Sequence, residues 1–519
     1  MTINGGYEFR ITLSRNSVTC SYDEPVRSNL RVEDGQINSD SLETIAVLEQ
    51  WLKRWEWIAS LDREHNRLLV PDTFKVLGNH LWRLAFNNGA PGLKLLEVHK
   101  KVSAYESDVA PPIRVRISFA DDAREIAALP WEFLHYPGNA RDRDFFLAAE
   151  TSLVLGRYLD GFQEREGGFR PADDRLRVLF VLGLPPAAHF DDERKCFEEL
   201  IEELKPESRQ AGARASSAHP WGGYPIEIKS LDTWDPAMVI DRLTEFQEGE
   251  PPGPVDIVHL FAICNISPRP RLLLPEGQDG AFGWAEPERV VEVLTHFREN
   301  RPELVVLHLC DSREHEPDHF EQLAPAFIRA GIPAVLAMQY PMQPEYARKF
   351  LTTFYSSLAR GEYLGQAVQA ARHEMFIFHR GRYFGTPVLY MQSQVDGKFI
   401  EGRVSVADVP RREATAGRRR VSPPPGGGNS GLDLERHLLS ELDKAQPELA
   451  RAGREVRDWV RNQSWPSGEL RPAGLEEAQQ ILRLGYRAFN HDVEADRIMR
   501  QLIASVALLD APAQSGPQP

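Results

Sequence analysis

Cys310 is the residue in this chain with the clearest reactive potential. It ends the apolar run Leu304-Val-Val-Leu-His-Leu-Cys310 and is followed by polar Asp311 and Ser312. A thiol in such a place is either a small core residue or a nucleophile. Three histidines close in sequence are candidate bases. His308, two residues earlier, projects from the same strand face about 7 Å back along the chain. His315 and His319 lie in the polar segment that follows, from which a loop can return over the strand end. Each has a plainer reading, His308 as a residue packed beneath a helix and the other two as surface charge.

The elements that must hold these groups are legible around them. A second short apolar run, Val255-Asp-Ile-Val-His-Leu-Phe-Ala-Ile-Cys264, precedes a helical stretch expected over 287–300, and Leu304–Cys310 follows it. That is strand, crossover helix, parallel strand. Runs apolar on both faces suit strands buried between helix layers. In such sheets chemistry gathers at the C-terminal strand ends, where Cys310 sits.

Strands and helices alternate from about 176 to 391, which implies a largely parallel α/β sheet. Leu176-Arg-Val-Leu-Phe-Val-Leu182, Ile332–Met338 and Pro387–Met391 read as strands. Phe190–Leu204, Asp235–Phe246, Ala324–Arg329, Glu345–Ala359 and Leu364–Phe378 read as helices, with Asp235 a cap before Pro236. Earlier, Tyr7–Leu13 and Pro112–Phe119 alternate as half-buried strands. Helices are expected around Ile45–Trp55 and after Asp72, where Phe74, Leu77, Leu81 and Leu84 share a face. The tryptophans there read as core.

At 519 residues the chain needs two or three domains. Its 42% hydrophobic and 26% charged content is that of a globular protein, and a net charge of -15 argues against a nucleic-acid binder. No apolar run approaches the roughly 20 residues needed to cross a membrane. The N-terminus lacks the basic-then-apolar pattern of a secretion signal. Four widely spaced cysteines, Cys20, Cys196, Cys264 and Cys310, argue against a structural zinc site or a disulfide framework and for a cytoplasmic protein with free thiols. No phosphate-binding Gly-x-x-x-x-Gly-Lys-[Ser/Thr] occurs, and no cofactor or metal is expected.

Residues 407–431 combine an arginine run with Pro-Pro-Pro-Gly-Gly-Gly and read as a flexible linker. Residues 432–511 read as a small helical domain, with Trp459 and Trp465 as core anchors. Limited trypsin digestion is expected to leave a stable fragment ending between Arg411 and Arg420.

Several motifs together resemble the CHAT family of caspase-like cysteine peptidases. Leu129-Pro-Trp-Glu-Phe-Leu is similar to that family's Leu-Pro-Trp-Glu-Leu-Leu, and Phe146-Leu147 to its following Phe-Leu. Leu304–Ser312 resembles its cysteine strand. Leu323–Pro341 and Phe384-Gly-Thr-Pro-Val-Leu-Tyr390 follow its pattern nearly throughout. The resemblance covers roughly residues 1–400. It implies a caspase-like, mostly parallel sheet sandwiched by helices, with an N-terminal α+β half over 1–170, the caspase-like domain over 171–400 and the C-terminal all-α appendage. It also implies that Cys310 is the nucleophile and that a histidine ends the neighbouring strand. The family reads His-Phe-x-Gly-His-Gly there. This chain reads His259-Leu-Phe-Ala-Ile-Cys264, so Ile263 stands where the catalytic histidine is expected.

Isoleucine cannot move a proton. His259, four strand residues back, lies some 13 Å from the expected site, too far for a hydrogen bond of about 3 Å. Cys264 falls near Cys310, as a second free thiol or as its reversible disulfide partner. His259, Ile263, Cys264, Asp311, Ser312 and Gln339 are expected to line the cleft. Two functions stay in play, both plausible in a bacterial signalling or defence system. One is a degenerate domain working as a protein-binding or regulatory scaffold, whose helical domain docks another protein. The other is an active cysteine endopeptidase with a non-standard base, switched on by a partner. The missing histidine favours the first. A small-molecule-binding α/β domain is a third reading, weakened by the lack of a phosphate loop.

Overall fold

A computed structural model describes residues 7–24, 27–32, 34–38, 42, 45, 71–86, 89–103, 112–139, 142–159, 175–184, 190–205, 224–248, 253–265, 271–276, 281–296, 301–310, 323–340, 342, 344–378, 383–392 and 397–399. The helix expected around Ile45–Trp55, Asp311, Ser312, His315, His319, the linker and the helical appendage fall largely or wholly outside them. Among the described residues, no helix is long and apolar enough to cross a membrane.

The strands in chain order are β1 (Glu8–Leu13), β2 (Ser17–Glu24), β3 (Arg27–Arg31), β4 (Gly35–Gln36), β5 (Ile113–Phe119), β6 (His135–Tyr136), β7 (Phe145–Phe146), β8 (Leu153–Leu159), β9 (Leu176–Leu182), β10 (Ile226–Leu231), β11 (Ile257–Asn265), β12 (Arg271–Glu276), β13 (Ala281–Ala285), β14 (Leu304–Cys310), β15 (Ala334–Met338) and β16 (Pro387–Gln392). The main sheet runs β10-β9-β11-β14-β15-β16-β8-β5-β1-β2-β3, with β12 and β13 branching from β11. From β10 to β15 neighbours are parallel; β15 and β16 are antiparallel; from β16 through β8 and β5 to β1 they are parallel again. The mostly parallel α/β architecture is therefore present, and the N-terminal strands continue the same sheet.

Contacts divide the chain into two compact units. One comprises 1–35, 88–132 and 147–423; the other comprises 36–87, 133–146 and 424–519. In the second unit the helix Pro71–Phe86 buries Phe74, Leu77, Leu81 and Leu84, the face its periodicity marks out. Trp82 packs on Tyr136 of the β6–β7 hairpin, with ring centroids 5.2 Å apart.

In the first unit β9, β11 and β14 are covered on both sides, which is why their sequences lack polar alternation. One face carries Leu179, Val181, Val258, Leu260, Ala262, Val305 and Leu307. It packs against the helices Pro236–Gln247, Pro287–Leu294 and Leu323–Arg329 through Val239, Leu243, Val290, Val291, Leu294, Phe327 and Ile328. Burial of such a set from water is the main stabilising term of the domain. The Asp235 side chain accepts hydrogen bonds from the Ala237 and Met238 amides, so the cap expected before Pro236 is in place. The helix expected over 287–300 stops at Leu294, where Thr295 Oγ1 bonds back to the Val291 carbonyl at 2.7 Å. The β12–β13 hairpin was not anticipated. The run Arg271-Leu-Leu-Leu-Pro has no polar alternation to announce it, and its Pro275 argues against a strand interior.

Candidate functional site

β11 and β14 lie side by side and parallel, and their register pairs Ile257 with Leu304, His259 with Val306, Phe261 with His308 and Ile263 with Cys310. Paired residues share a sheet face, so the position beside Cys310, where the CHAT pattern has a histidine, is filled by Ile263. Ile263 is 3% exposed. It brings hydrocarbon to a place where thiol chemistry needs a proton acceptor and donor.

The face that His259, Phe261, Ile263 and His308 share is opposite the large aliphatic core. It packs against Phe197 of the helix Asp191–Leu204 and Tyr355 of the helix Pro344–Ala359. His259 is fully buried. Its Nδ1 lies 2.9 Å from the Tyr355 hydroxyl, and its ring stacks on Phe261 (4.7 Å) and sits beside Phe180 (5.0 Å). Burial, then the neighbouring His308, pushes its pKa well below the usual histidine value. His308 is also buried, stacked on Phe261 at 4.2 Å, and burial lowers its pKa to about 4. Both imidazoles are neutral at pH 7. Among the described residues, neither His259 Nε2 nor His308 Nδ1 has a hydrogen-bond partner. His308 is thus a packed ring in an aromatic layer, the plainer of the two readings its sequence position allowed.

Three residues expected along a cleft, His259, Ile263 and Gln339, are buried instead. His259 is held in that aromatic layer. Gln339, just past β15, turns inward: its Nε2 donates to Glu132 Oε2 (3.0 Å) and to the Gly385 carbonyl, and its Oε1 accepts from Arg157 Nη2 (3.3 Å). The physical reason is a buried charge network. Arg157 donates to both oxygens of Glu132, from Nε at 3.0 Å and from Nη2 at 2.5 Å, and also to the carbonyls of Ala127 and Leu129. Arg372 lies 4.0 Å from the same carboxylate and donates to the Leu155 and Pro387 carbonyls. The glutamate of the Leu-Pro-Trp-Glu element is therefore the hub joining β8, β16 and the helix Leu364–Phe378. Sequence reasoning missed this role; the signal was an acidic residue inside an apolar run.

Cys264 is paired in register with Leu272 of β12, on the other side of β11 from β14. The remaining cysteines, Cys20 and Cys196, are buried free thiols pushed up to about 12 by burial, which leaves them unreactive. Asp311, Ser312, His315 and His319 lie outside the described residues. Among the described residues, the register sets Ile263, and no histidine, opposite Cys310.

Gly183 follows β9 directly and lies close to β12. Its amide donates to the Phe261 carbonyl at 2.7 Å, and a Cβ there would meet Leu274 Cδ2 at 2.8 Å. The hairpin thereby extends the sheet beside β11 at the level of Ile263. Its register continues the cross-strand row: Cys310 pairs with Ile263, Ile263 with Leu273, and Leu273 with Trp284.

No curated protein matches this chain. Two solved structures of the Saccharomyces cerevisiae separase–securin complex resemble it, at 10% and 9% identity with TM-scores of 0.40 and 0.37. Each alignment covers 76% of this chain and 30% of the other, so the chain spans less than a third of that protein's length. The sequence profile of the CHAT domain matches residues 81–383, which is more than half of the chain and takes in the Leu-Pro-Trp-Glu element, β11 and β14. The chain belongs to the CHAT-domain family.

Proposed function

We propose that this chain is a degenerate caspase-like domain that acts by binding protein, as a regulatory scaffold, and does not cleave peptides. The observation that carries this is the pairing of Ile263 with Cys310. An ordinary thiol has a pKa near 8.5 and is only a few per cent thiolate at pH 7, so a cysteine peptidase needs an imidazole beside its sulfur. The same imidazole must protonate the leaving amine. Ile263 can do neither, and His259 and His308 are committed to the aromatic layer. On this reading residues 432–511 dock a second protein, and 407–431 tether them. The setting, a cytoplasmic bacterial signalling or defence system, rests on the family resemblance and the free thiols alone.

The test compares the full-length chain, Cys310→Ala and Ile263→His with a thiol-reactive activity probe and a proteome-derived peptide library. The proposal expects no Cys310-dependent cleavage and a thiol no more reactive than free cysteine. Restoring the histidine is expected to raise probe labelling of Cys310 above the parent, since a positioned base contributes about 100-fold or more. Cys310-dependent cleavage by the parent chain would overturn the proposal and place the base in His315, His319 or a partner.

A further inference from the structure

We infer that the outer face of the β12–β13 hairpin binds an extended peptide segment that carries an acidic side chain next to an apolar one. The inference rests on the protein-binding reading above and names the chemistry of what is bound.

The hairpin has two unlike faces. Leu272, Leu274 and Ala285 point into the aliphatic core. Arg271, Leu273, Phe282 and Trp284 alternate with them, lie on the opposite face and are only partly buried. That is the face on which Ile263 and Cys310 are paired. The row Cys310, Ile263, Leu273, Trp284 crosses four strands, a span of about 14 Å at ~4.8 Å between strands. Ile263 is buried, so the partly open end of the row is Leu273 and Trp284.

Arg271 closes the row. Its guanidinium lies over the Trp284 ring, 5.8 Å from the centroid. Its Nε is shielded from solvent and has no hydrogen-bond partner, and among the described residues no carboxylate pairs with it. A guanidinium beside an indole, with one donor unpaired, favours a carboxylate, which a guanidinium binds through two parallel hydrogen bonds. In a chain of net charge -15, a partly buried arginine without an acidic partner is a departure from the surrounding electrostatics. The pairing of Arg271 with Asn265 sets it two residues beyond Ile263 and two strands from β14, about 12 Å from the Cys310 backbone. A peptide lying on Leu273 and Trp284 would thus bring its acidic side chain to Arg271.

The probe is a phage-displayed pool of random dodecapeptides, selected on the full-length chain and on Arg271→Glu. Enriched peptides are then synthesised and measured by fluorescence anisotropy. The parent is expected to enrich Asp or Glu within four residues of a large apolar side chain. Arg271→Glu should weaken those peptides about tenfold or more and shift enrichment towards Lys and Arg. Trp284→Ala should weaken them without changing the charge preference. Far-ultraviolet circular dichroism checks that each variant is folded, and the partly exposed Arg271→Lys, which keeps the charge but loses the planar fork, should fall between. Peptides bound without acidic preference, or bound equally by Arg271→Glu, overturn this inference and leave the scaffold reading standing. Retention of no peptide by the parent overturns it as well. Cys310-dependent cleavage of bound peptides overturns the scaffold reading instead, with the acidic preference then assigned to a substrate.

Discussion

Replacing Glu132 by glutamine should cost this fold about 3–5 kcal/mol, the range seen when one member of a buried ion pair is removed. The glutamine keeps the size of the side chain and one acceptor oxygen, so little of the loss would come from packing. What disappears is the negative charge facing two guanidiniums, Arg157 at 1% exposure and Arg372 at 0%. Arg157 would keep its bonds to the Ala127 and Leu129 carbonyls, and Arg372 its bonds to Leu155 and Pro387. Neither could shed its charge at pH 7. Burial already draws Arg372 down to about 10, with Glu132 opposing the shift and Arg157 adding to it. The assay is hydrogen exchange of the β8 and β16 amides, which reports the local opening free energy where the network attaches. A double-mutant cycle with Arg157→Met separates the charge effect from packing: the double variant should lose clearly less than the sum of the single ones. A Glu132→Gln loss below about 1 kcal/mol, or strict additivity, would refute the view that this carboxylate holds the halves of the sheet together.

Acid should destabilise the domain through its aromatic layer. His308 titrates at about 4 when folded and near 6.5 when unfolded, so its contribution is complete above pH 6.5 and is lost as pH falls towards 4. The loss amounts to about 3 kcal/mol, and His259 adds to it in the same direction. Denaturant midpoints measured from pH 7.5 to 4.5 check this; a flat profile would contradict it. His308→Phe should be neutral or stabilise by up to ~1 kcal/mol, because it removes an unpaired buried nitrogen while keeping the ring on Phe261. It should also flatten the acid profile and leave Cys310 labelling unchanged; a fall in labelling would mean that His308 serves the thiol. Gly78→Ala should cost about 2 kcal/mol or more, since its Cβ would strike the Phe133 carbonyl and His135 Cβ, which are not free to swing away. Loss of exchange protection over the helix Pro71–Phe86 is the measurement.

The sequence made the strands around the site legible because β9, β11 and β14 are apolar on both faces, and only a doubly covered parallel strand needs that pattern. The strand pattern alone put Cys264 near Cys310; it was the resemblance to the CHAT pattern that pointed to Ile263, the residue the register pairs with Cys310. The surroundings of the histidines were not legible. His259 is fixed by Phe180 and Tyr355, and its neighbour Phe261 by Phe197, residues scattered from 180 to 355 that only the tertiary fold brings over one face. Gln339 was assigned to a cleft by its position in a motif. Its true partners, Glu132, Arg157 and Gly385, come from three distant segments with no local signature. The hairpin escaped notice because Leu272-Leu-Leu274 hides which of its leucines face out.

The antiparallel joint between β15 and β16 gives the sheet two polarities. Strands from β10 to β15 end at one rim, the rim of Cys310; β16, β8, β5 and β1 end at the other. There Ala120, just past β5, donates to the Leu13 carbonyl, and Arg15 to Asp122, so that rim is tied down by its own turns. A ligand seated at the Cys310 rim leaves the opposite rim untouched. Substitutions at one rim should therefore leave the other rim's turns unchanged.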